Sequence, residues 1–442
     1  MSNNPLSDSN VPLKSNACIE SDRDGEFSNG KISFWRRLRR IFWHVAARQL
    51  TLLFLISVKV VSWFGRKRHT IDDRPLEIML TGRFDSKNWI LAHLVPLAQS
   101  KHCACIYMVS TNPVPEIPNV KAIYPHKWLI KCFGATPARL LTFLWAAICK
   151  RPHFVGGFHI MVNGIMAILV GLLIGARSIY FCVGGPEEVR DGGIHSGDSY
   201  FRKMDTPDAI VERRFLRLIA NFDMIITMGS RAVTFFRNRG IDTVYHIVSG
   251  GIDSKRFQSN QKIRLYDCIM TGRLVDVKRI DIFLRAIKIV VAEIPDVRVV
   301  IIGDGKLRSK LQQLSCSLEI EHNVIFEGYK DDIENWLQKS KIFVLTSDSE
   351  GLSLSMMEAM MCGLPVVVSD VGDLADLVED GINGYLVPRR TPNLFAMRLI
   401  ELLKNSHKLE SFSNAAYKST LRYDIQTTVL RWNKIFAERS KL

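Results

Sequence analysis

From Pro75 onward, short runs of aliphatic, β-branched and aromatic residues alternate with longer stretches in which apolar side chains recur every three or four positions. The runs LEIMLTG, CACIYMVS, HFVGGFH, RSIYFCVGG, MIITMGS and YHIVSG read as buried strands. The stretches NWILAHLVPLAQ, PARLLTFLWAAICK, NGIMAILVGLLIG and AIVERRFLRLIANF read as the helices between them. After a linker, GGIDSKRFQSNQK, the alternation restarts with YDCIMTG, VRVVIIGDG, NVIFEGY, KIFVLTS and PVVVSD as strands. Strands buried on both faces and separated by amphipathic helices give parallel sheets covered by helices. The expected fold is therefore α/β, with two doubly wound domains in succession. Ligands in such sheets bind at the carboxyl ends of the strands, which points to the cleft between the domains.

The first seventy residues follow a different pattern. Residues 1–30 are polar and rich in Ser and Asn, and are expected to form a disordered tail. Asp22-Arg23-Asp24 within it is a literal DxD, read as coincidence in such a context. Residues 31–70 carry ten basic and no acidic side chains around an apolar stretch with Trp35, Trp43 and Trp63. The apolar run from Leu50 to Val58 is preceded by Arg48 and cut by Lys59, short of the roughly 20 residues that span a bilayer. A helix lying in the membrane interface is favoured, with a tilted anchor or a purely structural amphipathic helix as alternatives. The nearly charge-free span from Ile160 to Val183 is broken by glycines and reads as helix then strand.

Charge sharpens this picture. The formal net charge of +15 is concentrated in the first half of the chain, and residues 121–180 add seven basic and no acidic side chains. An anionic membrane surface or an anionic acceptor is implied. No recognition-helix pattern, aromatic-basic interleaving or zinc spacing accompanies the charge, so nucleic acid is not expected as a partner. The nine cysteines are odd in number and scattered, as in a reduced cytosolic protein, and no metal set assembles from them.

Candidate chemistry clusters in the second half. In TGRLVDVKR, Gly272 allows a tight turn while Arg273 and Lys278 converge on one strand end, as a phosphate or diphosphate requires. Gly303 and Gly305 in IIGDG, and Gly328 in VIFEGYK, allow a ligand to approach the main chain. In EGLSLSMMEAMMCGLPVVVSD, a helix capped by Ser353 or Ser355 presents unpaired amides, a ready anion site. Glu350 lies before that start and Glu358 about two turns along, so two carboxylates flank the amides and can accept hydrogen bonds from hydroxyl groups. Ser355 and Glu358 also fit a capping box, but capping at Ser353 gives the longer helix and leaves Glu358 for a ligand. Gly372 and the Asn383-Gly384 pair read as turn glycines, the latter in a hairpin.

At these residues the chain resembles the retaining glycosyltransferase family 4, over roughly residues 72 to 440. The strongest segments are TGRLVDVKR, IIGDGKLR, LTSDSEGLSLSMMEAMMCGLPVVVSD and EDGINGYLV. The resemblance implies the GT-B fold, two facing Rossmann-like domains. It implies that Arg273 and Lys278 grip a donor diphosphate, with amides of Gly351, Leu352 and Ser353 near the phosphates. Glu358 then holds the ribose hydroxyls and Glu350 the donor sugar. No cofactor or metal is implied, because cations and amides stabilise the leaving diphosphate. His159 in GGFHIMVNG matches a catalytic-site histidine, and VGGPEEVRDGG resembles a loop shaping the acceptor side, with Glu187, Glu188 and His195 as candidates. The chain departs from the pattern at Gly372-Asp373 and Asp376, and at TGRFDSKNW, which lacks the usual double glycine beside the donor.

The resulting division is a tail (1–30), a basic amphipathic membrane-associated segment (31–70), and an N-terminal acceptor domain (71–250). A nucleotide-sugar-binding domain (251–405) and C-terminal helices packing toward the N-terminal domain (406–442) complete it. The expected activity is retaining transfer of a sugar from a UDP- or GDP-sugar to a hydroxyl of a lipid-linked or glycan acceptor in envelope or extracellular polysaccharide assembly, on the cytoplasmic face of a membrane. Another GT-B activity, epimerase or phosphorylase, or a non-catalytic sugar-nucleotide-binding scaffold are the rival readings.

Overall fold

The computed structural model describes residues 23–67, 74–84, 86–196, 200–259, 263–388 and 391–438. The first half contains α1 (Arg23–Phe64), β1 (Leu76–Thr81), α2 (Lys87–Ala98), β2 (Cys103–Val109), β3 (Val120–Ile123), α3 (Lys127–Phe133), α4 (Ala135–Lys150) and β4 (Phe154–Phe158). It continues through α5 (Ile165–Ile174), β5 (Arg177–Cys182), α6 (Ala209–Ile219), β6 (Met224–Thr227), α7 (Ser230–Arg237) and β7 (Val244–Ile247). The second half contains β8 (Tyr266–Thr271), α8 (Ile280–Glu293), β9 (Val299–Ile302), α9 (Arg308–Ser317), β10 (Val324–Gly328), α10 (Ile333–Gln338) and β11 (Ser340–Leu345). It ends with α11 (Leu354–Met361), β12 (Val366–Ser369), β13 (Gly384–Val387), α12 (Pro392–Lys404), α13 (Ser406–Thr420) and α14 (Ile425–Ala437).

Two parallel sheets result, in the orders β3-β2-β1-β4-β5-β6-β7 and β10-β9-β8-β11-β12-β13. Each reverses its direction of growth once, between β1 and β4 in the first and between β8 and β11 in the second. These two switch points are where crevices open at the carboxyl ends of the strands. The strands alternate their side chains between two apolar layers: Leu76, Ile78 and Leu80 of β1 face α2 and α14, while Met79 faces α4 and α5. Trp432, Ile435 and Phe436 of α14 pack into the first domain's core, so the chain crosses back after completing the second.

Two expectations are corrected. Helix α1 starts at Arg23, so residues 23–30 are helical where a disordered tail was expected; residues 1–22 lie outside the described residues. The Asn383-Gly384 pair does not turn a hairpin, because β13 runs parallel to β12, with Val366 paired to Gly384. Helix α1 docks along the first domain against α5 and α6 through Ala47, Thr51 and Val58, all buried. His44 Nδ1 and Arg48 Nε both bond Asp208 Oδ2, at 2.7 and 2.9 Å, at the start of α6. Its other side leaves Phe42, Leu53, Ile56, Trp63 and Phe64 exposed. Length and composition would also allow Arg37–Phe64 to cross a membrane.

Candidate active site

The facing switch points place the candidate residues opposite one another. From the second domain, the β8 loop brings Arg273 and Lys278, and the loop after β11 brings Glu350. Lys278 Nζ donates to Glu350 Oε1 at 2.6 Å, so the cation and the carboxylate read separately in the sequence form one pair. The Lys278 loop is fixed by Thr346 Oγ1, which donates to the carbonyls of Lys278 and Arg279 at 3.1 and 2.9 Å.

Helix α11 begins after Ser353, whose extended backbone makes it the cap position. Its hydroxyl bonds Ser355 Oγ at 3.0 Å rather than a backbone amide, so no side chain caps the first amides of the helix. Glu358 is 5% exposed and accepts from Asn88 Nδ2 of the first domain at 3.2 Å. Burial pushes its carboxyl up to about 8, against the opposing pull of the Arg256 cation and the Asn88 bond. Arg256 in turn donates to Asn88 Oδ1 at 2.8 Å and Glu334 Oε2 at 2.7 Å. Asn88 and Arg256 were not legible as site residues, because their roles depend on the approach of the two domains.

The glycines separate into two kinds. A Cβ on Gly272 would meet only the Lys278 side chain, so this position leaves room at the strand end. A Cβ on Gly303 would lie 1.9 Å from the Gly272 carbonyl oxygen, and one on Gly305 2.5 Å from that of Leu274. Gly328, at φ +75°, lies against the Arg308 guanidinium. Gly351 packs against the Val183 carbonyl of the first domain. Packing of the strand-end loops against one another thus accounts for Gly303 and Gly305.

Across the cleft, His159 follows β4 with φ +65°, a conformation unusual for a residue with a Cβ. Its Nδ1 lies 3.0 Å from Glu188 Oε1. Glu188 also accepts from the Gly184 and Ile160 amides at 2.7 and 2.9 Å and from the Tyr180 hydroxyl at 2.8 Å. Burial alone would raise its carboxyl, but the His159 charge and these donors hold it below the ordinary value. The imidazole itself is half-exposed. Glu187 instead pairs with Arg190 at 2.5 Å, and His195 lies 3.6 Å from Asp191, so neither joins His159. If the positioning of His159 matters for turnover, Glu188→Gln lowers kcat roughly ten-fold or more while donor KM changes little, measured by initial rates.

The departures Asp373 and Asp376 also find partners. Asp373 Oδ1 accepts from the Arg231 amide at 2.9 Å, Asp376 from Ser230, and Asp370 from the Arg231 guanidinium at 2.7 Å. Three carboxylates of the second domain thus hold the start of α7 in the first. Among the described residues, no group of three His, Cys, Asp or Glu side chains could share a metal ion.

Two doubly wound domains with facing switch points are the architecture of the GT-B class. Residues 252–419, within the second half of the chain, match the family model described as glycosyl transferases group 1. The chain is 31% identical over 168 residues to a poly(glycerol-phosphate) alpha-glucosyltransferase of Bacillus subtilis, covering 38% of this chain and 25% of that protein. It is 31% identical over 167 residues to a poly(ribitol-phosphate) alpha-N-acetylglucosaminyltransferase of Staphylococcus aureus, covering 37% and 34%. These matches span no more than about a third of either relative. Among solved structures, Anabaena Alr3699/HepE in complex with UDP-glucose superposes with a TM-score of 0.65 at 16% identity, covering 82% of this chain and 99% of that one. At this identity the likeness shows the fold.

Proposed function

We propose that this chain is a retaining glycosyltransferase of family 4. It moves a hexose-type residue from a UDP- or GDP-linked donor to a hydroxyl of a lipid-linked glycan, in envelope or extracellular polysaccharide assembly. The observation that carries the reading is the Lys278–Glu350 pair beside the uncapped start of α11, facing the Glu188-held His159. Arg273, Lys278 and the α11 amides take the diphosphate, Glu358 the ribose hydroxyls, and Glu350 the donor sugar. As the glycosidic bond breaks, negative charge grows on the departing phosphate, where fixed cations and amides are most effective. The departing phosphate accepts the acceptor hydroxyl's proton on the same face, so no side-chain nucleophile and no metal is assigned. The names of the relatives, both transferases acting on phosphate polymers, agree with an envelope acceptor.

The test is incubation with UDP-, GDP- and ADP-sugars and membrane lipid extract, reading nucleoside diphosphate release and sugar transfer into lipid. Lipid-dependent release by the wild type identifies the donor. Binding of a donor with no release under any condition converts the reading to a sugar-nucleotide scaffold.

The proposed location is the cytoplasmic face of a membrane, and the first domain has the surface for it. Besides the outward side of α1, the first domain has helix α3, which buries none of its residues and exposes Trp128 and Phe133, and α4, which exposes Leu141, Trp145 and Ile148. Aromatic and basic residues together suit an anionic interface. The protein is expected to cosediment with phosphatidylglycerol vesicles far better than with phosphatidylcholine ones, and to be released as salt rises. Replacing Trp63 and Phe64 with serine weakens that binding, whereas a wild-type protein that stays in the supernatant rules the docking out.

A further inference from the structure

The first-domain turn that carries Glu188 and the second-domain loop that carries Glu350 meet through their backbones. A Cβ on Gly351 would lie 2.4 Å from the Val183 carbonyl oxygen, and one on Gly185 would lie 3.4 Å from that of Glu350. The loop after β12 closes on the same point. Gly372 has φ +53°, and a Cβ there would lie 1.8 Å from the Glu350 carbonyl oxygen. The amide of Asp373 donates to the Gly351 carbonyl at 3.4 Å.

Asp373, one of the departures from the family 4 pattern, extends this contact to α7. It is fully buried. Oδ1 accepts from the Arg231 amide at 2.9 Å, while Oδ2 has no hydrogen-bond partner. A Cβ on Gly229, just before α7, would lie 2.3 Å from the Asp373 Cβ, so the two segments come this close only because no side chain stands there. A Cβ on Gly185 would stand 3.8 Å from Oδ2. The carboxyl therefore lies among α7, the Glu188 turn and the Glu350 loop. Asp370 and Asp376, both partly exposed, hold the same helix through the Arg231 guanidinium at 2.7 Å and the Ser230 hydroxyl at 2.6 Å.

Two functional groups depend on where these segments sit. Glu350, bonded to Lys278 at 2.6 Å, adjoins Gly351. Glu188, 3.0 Å from His159 Nδ1, stands in the turn that Gly185 begins. Burial, and next Asp376, push the Asp373 carboxyl up to about 6, against the pull of the Arg231 and Ala232 amides and the Arg231 charge. A fully buried carboxyl with one unused oxygen serves here as a hydrogen-bond acceptor more than as a charge.

We propose that Asp373 is a positioning residue for sugar transfer: by fastening the Glu350 loop to α7 and to the Glu188 turn, it sets the spacing across the cleft between Glu350 and His159. The proposal rests on the transferase reading above, in which Glu350 meets the donor sugar and His159 faces it from the first domain. Reacting groups displaced by about 1 Å lose on the order of 100-fold in rate, so one anchoring hydrogen bond here governs turnover without touching substrate.

The experiment compares Asp373→Ala, Asp373→Ser and Asp373→Asn in the full chain. Turnover is read as nucleoside diphosphate release from UDP- and GDP-sugars with membrane lipid extract, nucleotide affinity by calorimetry with UDP and GDP, and backbone hydrogen exchange without ligand. Asp373→Ala is expected to lower kcat about ten- to 100-fold, with donor KM and nucleotide affinity within about two-fold of wild type. Its hydrogen exchange quickens at 183–188 and 349–353 as well as at 229–232. Asp373→Asn keeps an acceptor for the Arg231 amide, so it retains kcat within about three-fold and melts no lower than wild type, a rescue that a role as a charge would not give. Asp373→Ser, too short to reach that amide, repeats the Ala result and replaces it where the Ala variant does not stay folded. A kcat within about two-fold of wild type in the Ala or Ser variant overturns the proposal, as does a fall in kcat matched by an equal loss of nucleotide affinity. Exchange that quickens at 229–232 alone also overturns it and leaves Asp373 a local tie. If wild type releases no nucleoside diphosphate from any donor, the transferase reading falls and exchange alone decides: quickening at 183–188 and 349–353 keeps Asp373 as the tie between the two segments, and its absence removes that too.

Discussion

Glu350→Ala is expected to lower sugar transfer about 100- to 1000-fold, the range seen when one pre-aimed polar group is removed from a reaction centre. Glu350 and Lys278 are bonded at 2.6 Å with side chains 11% and 17% exposed, so neither is a freely solvated surface charge. In the proposed reaction, the carboxylate orients the donor sugar while Lys278 meets the charge developing on the diphosphate. Removing the carboxylate therefore has two consequences. The sugar loses a hydrogen-bond acceptor, and Lys278 loses the partner that holds it beneath the phosphates. Lys278→Met should cost a similar factor, and the double variant should lose far less than the product of the two, because paired groups act as a unit. Donor binding read separately by calorimetry shows whether the loss is in affinity or in turnover. Retention of a tenth or more of wild-type activity in Glu350→Ala would remove Glu350 from the reaction centre.

Glu358 gives the second large effect, and it appears as a pH dependence. Its carboxyl is raised to about 8 from an ordinary 4.5, first by burial. With the native pKa above the unfolded one, the native state holds the proton more tightly. The stability this contributes is fully present below pH 4.5 and is lost as pH rises through about 8. Glu358→Gln should flatten this part of the stability curve, measured as melting temperature between pH 5 and about 9, with a difference on the order of a few kcal/mol at the alkaline end. Nucleotide binding runs in the opposite sense. In the proposed reading ribose hydroxyls donate to the ionised form, so donor affinity should rise by roughly ten-fold between pH 6 and about 8 and become pH-independent in Glu358→Gln. A wild-type affinity that is flat over this range would show that ribose does not engage this carboxylate.

Asn88 ties Glu358 to the first domain. Its amide occupies Glu358 and accepts from Arg256, so the bond that a ribose would take is already made between domains. A donor entering this form must displace the Asn88 contact, and the Asp370, Asp373 and Asp376 grip on α7 remains as a separate tie.

Much of the fold was legible because buried parallel strands leave a strong signal. Continuous apolar runs such as VVII in β9 and VVVS in β12 are fully buried, and the helices between them show one apolar side. Elements without that signal were not read. Strand β3 has no fully buried residue, α3 buries nothing, and α7 is only eight residues long. The error at Asn383-Gly384 has a similar source: a local turn motif was taken to decide a strand direction that is set by pairing with β12. Asn383 is instead buried, bonding the Glu379 amide and the Leu377 carbonyl.

The candidate site divides along the same line. The sequence by itself determined which residue types stand in the strand-end loops, Arg273, Lys278, Glu350 and His159, and on the helix after β11, Glu358. Only the tertiary structure decided their partners, because those contacts join residues far apart in the chain: Lys278 to Glu350, Glu358 to Asn88, and His159 to Glu188. It also buried Arg139, which in sequence is one more basic residue on an apolar helix, with two guanidinium nitrogens lacking hydrogen-bond partners. Periodicity records which side of an element avoids water, whereas charge pairing depends on which elements meet at the switch points.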